Sequence, residues 1–155
     1  MLYLAVVGLT MFLLPALSVA IELTAHPAPV MLLVGKWYVF WAVGVRLVLA
    51  GVRQLFQPGF TAREIFHMQG EEALTLVREL GVSNFAVGVV GLAAVAVPSF
   101  VLPSAITAGV FYGIAGARHV AETGRSRNET IALVSDLFAF AVLATFTLAT
   151  VARVG

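Results

Sequence analysis

The sequence predicts an all-α, polytopic transmembrane helical bundle with about five spans and one amphipathic interfacial helix. Hydrophobic residues make up 61% of the 155 residues, charged residues only 11%, and mean hydropathy is +1.01. Soluble domains carry about 25% charged residues, so this composition indicates a membrane protein. The net charge of +1 offers no broad basic face for nucleic acid. A chain of this length is expected to form one transmembrane helical domain over residues 1–155.

Five stretches approach the roughly 20 apolar residues that a helix needs to cross a bilayer. They lie at residues 2–23, 31–56, 84–100, 104–119 and 129–151. The first ends near "SVA", which resembles a signal-peptide cleavage site, but no Lys or Arg precedes the apolar run. We therefore expect a retained span. Pro98 and Pro103 predict a turn between the third and fourth spans. The alternative, one kinked helix, would be far longer than a bilayer requires.

Residues 61–80 differ from the spans because apolar and charged residues alternate at helical spacing. Thr61 and Glu64 have the spacing of a capping box and follow the breaker pair Pro58-Gly59. The pattern predicts an amphipathic helix that lies in the membrane interface or packs under the bundle. A solvated connector helix is the alternative.

The Lys and Arg residues predict how the chain is threaded. With five spans, four arginines of the connecting segments share one side of the membrane, whereas two basic residues lie near the other side. The first set is Arg63, Arg78, Arg125 and Arg127, and the second is Lys36 and Arg153. Positive loops stay in the cytoplasm, so the N-terminus is predicted to be cytoplasmic and the C-terminus outside.

Two oppositely charged pairs are predicted within the spans. Arg46 lies ten residues beyond Lys36, and Asp136 lies seven residues into the fifth span. At about 1.5 Å per helical residue, Arg46 and Asp136 reach similar depth from opposite sides. Because isolated charges are costly in lipid, we expect these two to pair, directly or through water. Glu22 and Lys36 are expected to form a second pair at the outer surface. Fixing of helix register is the alternative role for both pairs.

A carboxylate–histidine metal site is a weaker hypothesis. Helical bundles build di-metal sites from carboxylates and Glu-x-x-His motifs on facing helices. The candidate ligands are Glu64, His67, His119, Glu122 and Glu129. The second motif, His119-x-x-Glu122, is reversed. Asn128 suits the N-cap of the fifth helix and Glu129 suits its first turn, so these two residues have a local explanation that needs no ligand. The chain has no cysteine. A metal ion is therefore left open, and no other cofactor is predicted.

Four blocks together resemble a family of small, multi-pass bacterial membrane proteins of unknown function. They are "KWYVFWAVGVRLVLAGVRQLFQPGFTAREIF", "RELGVSN", "FYGIAGARH" and "NETIALVSDLF", within residues 36–138. The resemblance implies a bacterial inner-membrane location, but it implies no activity, substrate or catalytic residue. The polar residues within these blocks are Arg46, Glu64, Glu79, Asn84, His119, Glu129 and Asp136.

The first functional hypothesis is not enzymatic. A buried polar cluster around Arg46 and Asp136, extended by His119 and Glu129 and with Asn84 as a further candidate, would bind or conduct a small polar solute, lipid headgroup, ion or proton. The second hypothesis is a membrane-embedded enzyme that uses the metal site at the cytoplasmic face. The third is an accessory subunit of a larger membrane complex. The lipid bilayer is the expected partner, and a homo-oligomer is left open.

Overall fold

The computed structural model describes residues 2–153, which form helices and turns only. Met1, Val154 and Gly155, which the predicted domain 1–155 includes, lie outside the described residues. Five helices are long and apolar enough to cross a membrane. These are α1 (Leu2–Ala25), α2 (Val30–Phe56), α4 (Glu71–Ala93), α5 (Pro98–Ala121) and α6 (Arg127–Val151), with a short helix α3 at residues 58–65. The predicted five-span helical bundle is confirmed.

The long helices pack as two close pairs, which α1 and the first half of α2 join. In the α2–α4 pair, Gly44 of α2 lies against the backbone at Gly91 of α4, and Gly51 lies against the backbone of Gly81 and Phe85. In the α5–α6 pair, Gly113 and Gly116 of α5 pack against large side chains of α6. Small residues allow such close approach, since a side chain there would hold the helices apart.

The main hydrophobic core lies where these two pairs meet. It joins Val39 and Val43 of α2 to Ala108 of α5 and to Leu143 and Phe146 of α6. This core occupies the half of the bundle nearest the turns at residues 26–29 and 94–97, which we name the far end. The opposite end comprises the start of α1, residues 57–70 and the turn at 122–126, and we name it the basic end because most of the arginines lie there.

The predicted amphipathic helix 61–80 and the predicted third span 84–100 have different bounds in the structure. Residues 61–65 belong to α3, residues 66–70 form an irregular segment, and residues 71–80 are the first part of α4 itself. The glycine contacts pair the end of α2 with residues near 80 of α4, so α4 extends beyond α2 by about two turns at the basic end. There Ala73 and Val77 pack on Ala62 of α3.

Two helix starts also differ from the sequence prediction. α4 ends at Ala93 and the turn comes before Pro98, which begins α5 instead of lying within the turn. Proline is tolerated in the first turn of a helix, where its missing N–H has no partner to lose. α6 is capped by Ser126 and not by Asn128, since the Ser126 hydroxyl accepts the Glu129 N–H at 3.2 Å. The Thr61–Glu64 capping box does not form, because the residue before Thr61 is already helical.

Candidate functional site

A cavity of about 380 Å³ lies in the basic half of the bundle, and all six helices contribute to its lining. The cavity separates the basic half of α2, which is the half nearer the basic end, from α5 and α6. α2 contacts those two helices mainly in its other half, nearer the far end. The cavity walls are mostly apolar. Its polar lining residues are Tyr3, Arg46, Arg53, Gln54, Gln57, Thr61, Asn84, Tyr112, His119 and Asp136. A concave apolar site with a few convergent polar groups is typical of small-molecule binding.

Arg46 and Asp136 line this cavity at the same level of the bundle. Gly35 of α2 packs against the ring of Phe146 of α6, and the two helices run in opposite directions. Arg46 lies eleven residues after Gly35 on α2, and Asp136 lies ten residues before Phe146 on α6. Both charges are therefore about the same length of helix away from the Gly35–Phe146 contact, which gives the equal depth predicted for them.

The direct ion pair predicted between Arg46 and Asp136 is wrong. Among residues 2–153, no ion pair within 4.0 Å joins them. The guanidinium of Arg46 instead lies 5.8 Å from the ring centroid of Tyr3, and its buried Nε has no hydrogen-bond partner in the described part of the chain. Both side chains instead line the cavity between the helices that carry them.

Arg53 adds a second guanidinium to the same cavity. It lies seven residues after Arg46, so the two side chains share one face of α2. Its guanidinium stacks at 3.8 Å from the ring centroid of Phe60, and its buried Nε also has no partner within residues 2–153. Stacking on an aromatic face leaves the edge of a guanidinium free to donate hydrogen bonds.

Two hydrogen bonds hold the polar wall of the cavity in place. The amide of Asn84 on α4 donates to Gln54 Oε1 on α2 at 2.8 Å, in a buried position. The hydroxyl of Tyr112 on α5 donates to the backbone carbonyl of Ala42 at 2.6 Å. Ala42 lies in a π-helical segment of α2, Val39–Val45, where the wider turn interrupts the regular backbone hydrogen bonds. The predicted candidate Asn84 is therefore a cavity residue with a structural partner.

His119 is also at the cavity, near the basic end of α5. Its Nδ1 lies 3.0 Å from Glu122 Oε2. Arg125 donates to the carbonyls of His119, Val120 and Glu122 and thereby closes the end of α5. This ordered corner fixes the position of the imidazole.

Glu129 was predicted as a ligand-binding residue, but its carboxylate is used locally. One oxygen accepts the Ser126 N–H at 2.7 Å in the capping box, and the other lies 3.0 Å from Nε2 of His67. The Glu129 side chain is only 3% exposed and does not line the cavity. His67, with a backbone φ of +52°, ties the irregular segment 66–70 to α6.

The five residues predicted as metal ligands do not gather into one cluster. They form two separate pairs, His67 with Glu129 and His119 with Glu122, and Glu64 is exposed and belongs to neither. Within residues 2–153, no group of three or more His, Asp or Glu side chains is arranged to hold a metal ion. The donor set that the predicted metal-dependent enzyme would need is not assembled in that part of the chain.

The predicted Glu22–Lys36 pair does form, at the far end. Lys36 Nζ donates to both carboxylate oxygens of Glu22 at 2.8 Å, and the indole N–H of Trp37 donates to the same carboxylate. Lys36 also lies 4.8 Å from the ring centroid of Trp37. The far end therefore contains a closed ion pair between α1 and α2.

Sequence reasoning missed six polar residues of the cavity, which are Tyr3, Arg53, Gln54, Gln57, Thr61 and Tyr112. Tyr3 and Tyr112 stand in apolar runs, where an aromatic residue resembles core. Arg53 near the end of a span resembles a side chain that reaches toward the headgroups. Gln54 had a usable signal, since an amide within a span needs a partner and Asn84 is the buried amide on the next long helix.

Comparison with known proteins gives one match. A family model described as a family of unknown function (DUF6790) matches residues 5–154. No curated protein and no solved structure matches the chain significantly.

Proposed function

The chain belongs to the DUF6790 family, a family of unknown function, and we propose that it is an integral membrane protein that binds a small charged solute in the cavity of its basic half. One observation carries this proposal. Arg46 and Asp136 line the cavity at one level and do not form an ion pair there.

The energetics of buried charge support a binding role over a purely structural one. Ionisable groups inside a membrane are costly and normally pair with one another. At the far end this chain follows that rule, with Glu22 and Lys36 joined at 2.8 Å. In the basic half, Arg46 and Asp136 line the same cavity and no ion pair within 4.0 Å joins them, an arrangement that a charged ligand between them would satisfy.

The proposed location is the bacterial inner membrane, with the basic end in the cytoplasm. Four arginines of the segments at that end, Arg63, Arg118, Arg125 and Arg127, support this orientation by the positive-inside rule. An alkaline phosphatase fused after the last residue is then expected to be active outside the cytoplasm. An inactive phosphatase at that site, with an active cytoplasmic reporter, would overturn the orientation.

Cysteine labelling tests whether a charged solute reaches the cavity. The chain has no cysteine, so each introduced thiol reports alone. Ala115 of α5 lines the cavity, whereas its neighbour Ile114 is 61% exposed on the apolar outer surface. In membrane vesicles, Ala115→Cys is expected to react with 2-sulfonatoethyl methanethiosulfonate about tenfold faster than Ile114→Cys, because a thiol surrounded by hydrocarbon rarely ionises.

The comparison of the two cysteines decides the proposal. Faster labelling at position 115 that Arg46→Gln slows would support a solute site in which the guanidinium attracts the anionic reagent. Equal, slow labelling at positions 114 and 115 would mean that charged solutes do not enter the cavity, and the proposed function would be wrong.

A further inference from the structure

The cavity is bordered at the basic end and extends sideways to the apolar surface. Residues 57–66 line it at the basic end. Leu2, Leu49 and Phe111 also line it, and these side chains are 73%, 46% and 38% exposed on the outside of the bundle. In a bilayer, Leu49 and Phe111 would contact acyl chains, whereas Leu2 lies at the basic end. A molecule in the cavity can therefore be continuous with the surrounding lipid.

The charges that face the cavity have both signs. Two guanidinium groups, of Arg46 and Arg53, offer buried N–H groups on one side, and the carboxylate of Asp136 lies on the opposite helix. Guanidinium groups bind phosphate through paired hydrogen bonds, and a carboxylate accepts hydrogen bonds from an ammonium group. A simple anion would bind the arginines but be repelled by Asp136. A simple cation would bind Asp136 but be repelled by the arginines. A zwitterion satisfies all three.

We propose, resting on the proposed function, that the cavity takes the headgroup of a zwitterionic phospholipid, with its phosphate against Arg46 and Arg53 and its ammonium against Asp136. A primary ammonium, as in phosphatidylethanolamine, fits this carboxylate better than a quaternary one, which has no N–H to donate. The acyl chains leave the cavity past Leu49 and Phe111 into the bilayer.

The volume agrees with a headgroup as occupant. A cavity of about 380 Å³ lies at the lower end of small-molecule sites, which span about 300–1,000 Å³. It holds a polar headgroup and leaves the long chains outside. The apolar walls, which include Leu47 and Ala132, suit the glycerol and upper acyl carbons.

Binding of short-chain lipids to the full-length protein in detergent tests the inference. Native mass spectrometry would compare dihexanoyl phosphatidylethanolamine, phosphatidylglycerol and phosphatidylcholine, together with free phosphoethanolamine. We expect the ethanolamine lipid to bind about tenfold more tightly than the glycerol lipid, since one charge-assisted hydrogen bond to Asp136 contributes at least about a factor of ten.

Three variants separate the two halves of the headgroup. Arg46→Gln is expected to weaken the binding of both the ethanolamine and the glycerol lipid about tenfold or more, because the phosphate contact is lost. Asp136→Asn is expected to abolish the preference for ethanolamine while the glycerol lipid still binds. Arg63→Gln, which removes an exposed arginine of α3 outside the cavity, is the matched control and should leave both affinities unchanged.

The outcomes distinguish this inference from the function on which it rests. Equal binding of the ethanolamine and glycerol lipids, or a preference that Asp136→Asn does not alter, would overturn the claim that the site recognises a zwitterionic headgroup. If free phosphoethanolamine binds as tightly as the lipid, the claim that the bound headgroup belongs to a phospholipid is wrong. If no phospholipid binds while Ala115→Cys still labels rapidly, the lipid inference fails and the solute site stands. If neither occurs, both are wrong.

Discussion

The Glu22–Lys36 pair of the far half and the Arg46–Asp136 pair at the cavity of the basic half are arranged in opposite ways. In the far half, Glu22 accepts hydrogen bonds from Lys36 and Trp37, and the nearby Trp41 donates to Ser18 at 2.9 Å. In the basic half, Arg46 and Asp136 lie at one level with a cavity between the helices that carry them. The same chain can therefore close an ion pair between helices, which makes the open arrangement around the cavity a feature that needs its own explanation.

The far half is also more closely packed than the basic half. In the far half, small side chains such as Ala42, Ala105 and Ala139 let α2, α5 and α6 meet in a continuous core. In the basic half, the corresponding faces of α2 and α6 carry Arg46 and Asp136, and α2 no longer meets α5 and α6 closely. Close packing thus supplies a rigid base, and the open half lies next to it.

Gly91→Val is expected to have the largest effect, because it breaks the close packing of α2 and α4. A Cβ at residue 91 would lie 2.7 Å from the backbone nitrogen of Gly44 and 2.9 Å from its Cα, and backbone cannot move aside as a flexible side chain can. The free energy of unfolding, measured by SDS titration of mixed micelles, should fall by about 3 kcal/mol, the upper part of the usual range for overpacking.

Gly109→Ala on α5 is the matched control for that prediction. Its new Cβ would meet Leu143 at 3.7 Å, an ordinary contact distance. Replacing a helical glycine by alanine without a clash is expected to raise stability by about 0.5–1 kcal/mol. If Gly91→Val unfolds at the same SDS concentration as Gly109→Ala, the glycine contact does not hold the far half together.

The Glu22–Lys36 pair is expected to show intermediate energetic coupling. With side chains 23% and 31% exposed, it lies between a surface pair, worth about 0–1 kcal/mol, and a buried one. A double-mutant cycle with Glu22→Gln and Lys36→Gln should give a coupling free energy of about 1.5 kcal/mol, within the range for residues in one hydrogen-bond network. Strictly additive losses of stability would show that the pair contributes no interaction energy.

The outline of the fold could be predicted because span length is set by the bilayer and apolar stretches are readable one by one. The start of the third span could not. Charge marks where α4 leaves the apolar region, near residue 80, but the backbone continues as helix from Glu71. The choice of Ser126 over Asn128 as N-cap depends on backbone geometry, since both residue types cap helices well.

The candidate site was predictable in one dimension only. A constant rise per residue gives depth, so Arg46 and Asp136 could be assigned to one level from the sequence. The sequence does not give the rotation of each helix or the gap between α2 and α6, which depend on how the glycines and alanines pack. The predicted direct contact between the two charges was therefore wrong, although the level was right. Glu129 was misassigned because its local cap competes with any role in the cavity.

Arg46 and Asp136 should show the smallest coupling in a double-mutant cycle with Arg46→Gln and Asp136→Asn. Since no direct ion pair joins them, we expect a coupling free energy of about 0.5 kcal/mol or less in lipid-free detergent, close to additivity. A coupling as large as that of Glu22 and Lys36 would mean that the two charges meet directly, and the contrast between the two halves would disappear.

The same cycle, repeated with dihexanoyl phosphatidylethanolamine present, sharpens the contrast further. A zwitterion that binds both side chains links them, so each single variant then loses the stabilisation that comes from binding and the double variant loses little more. The coupling should rise toward that of the far pair with the ethanolamine lipid and stay low with phosphatidylglycerol. A coupling that both lipids raise equally would show that Asp136 contributes nothing to headgroup recognition, whatever role Arg46 has.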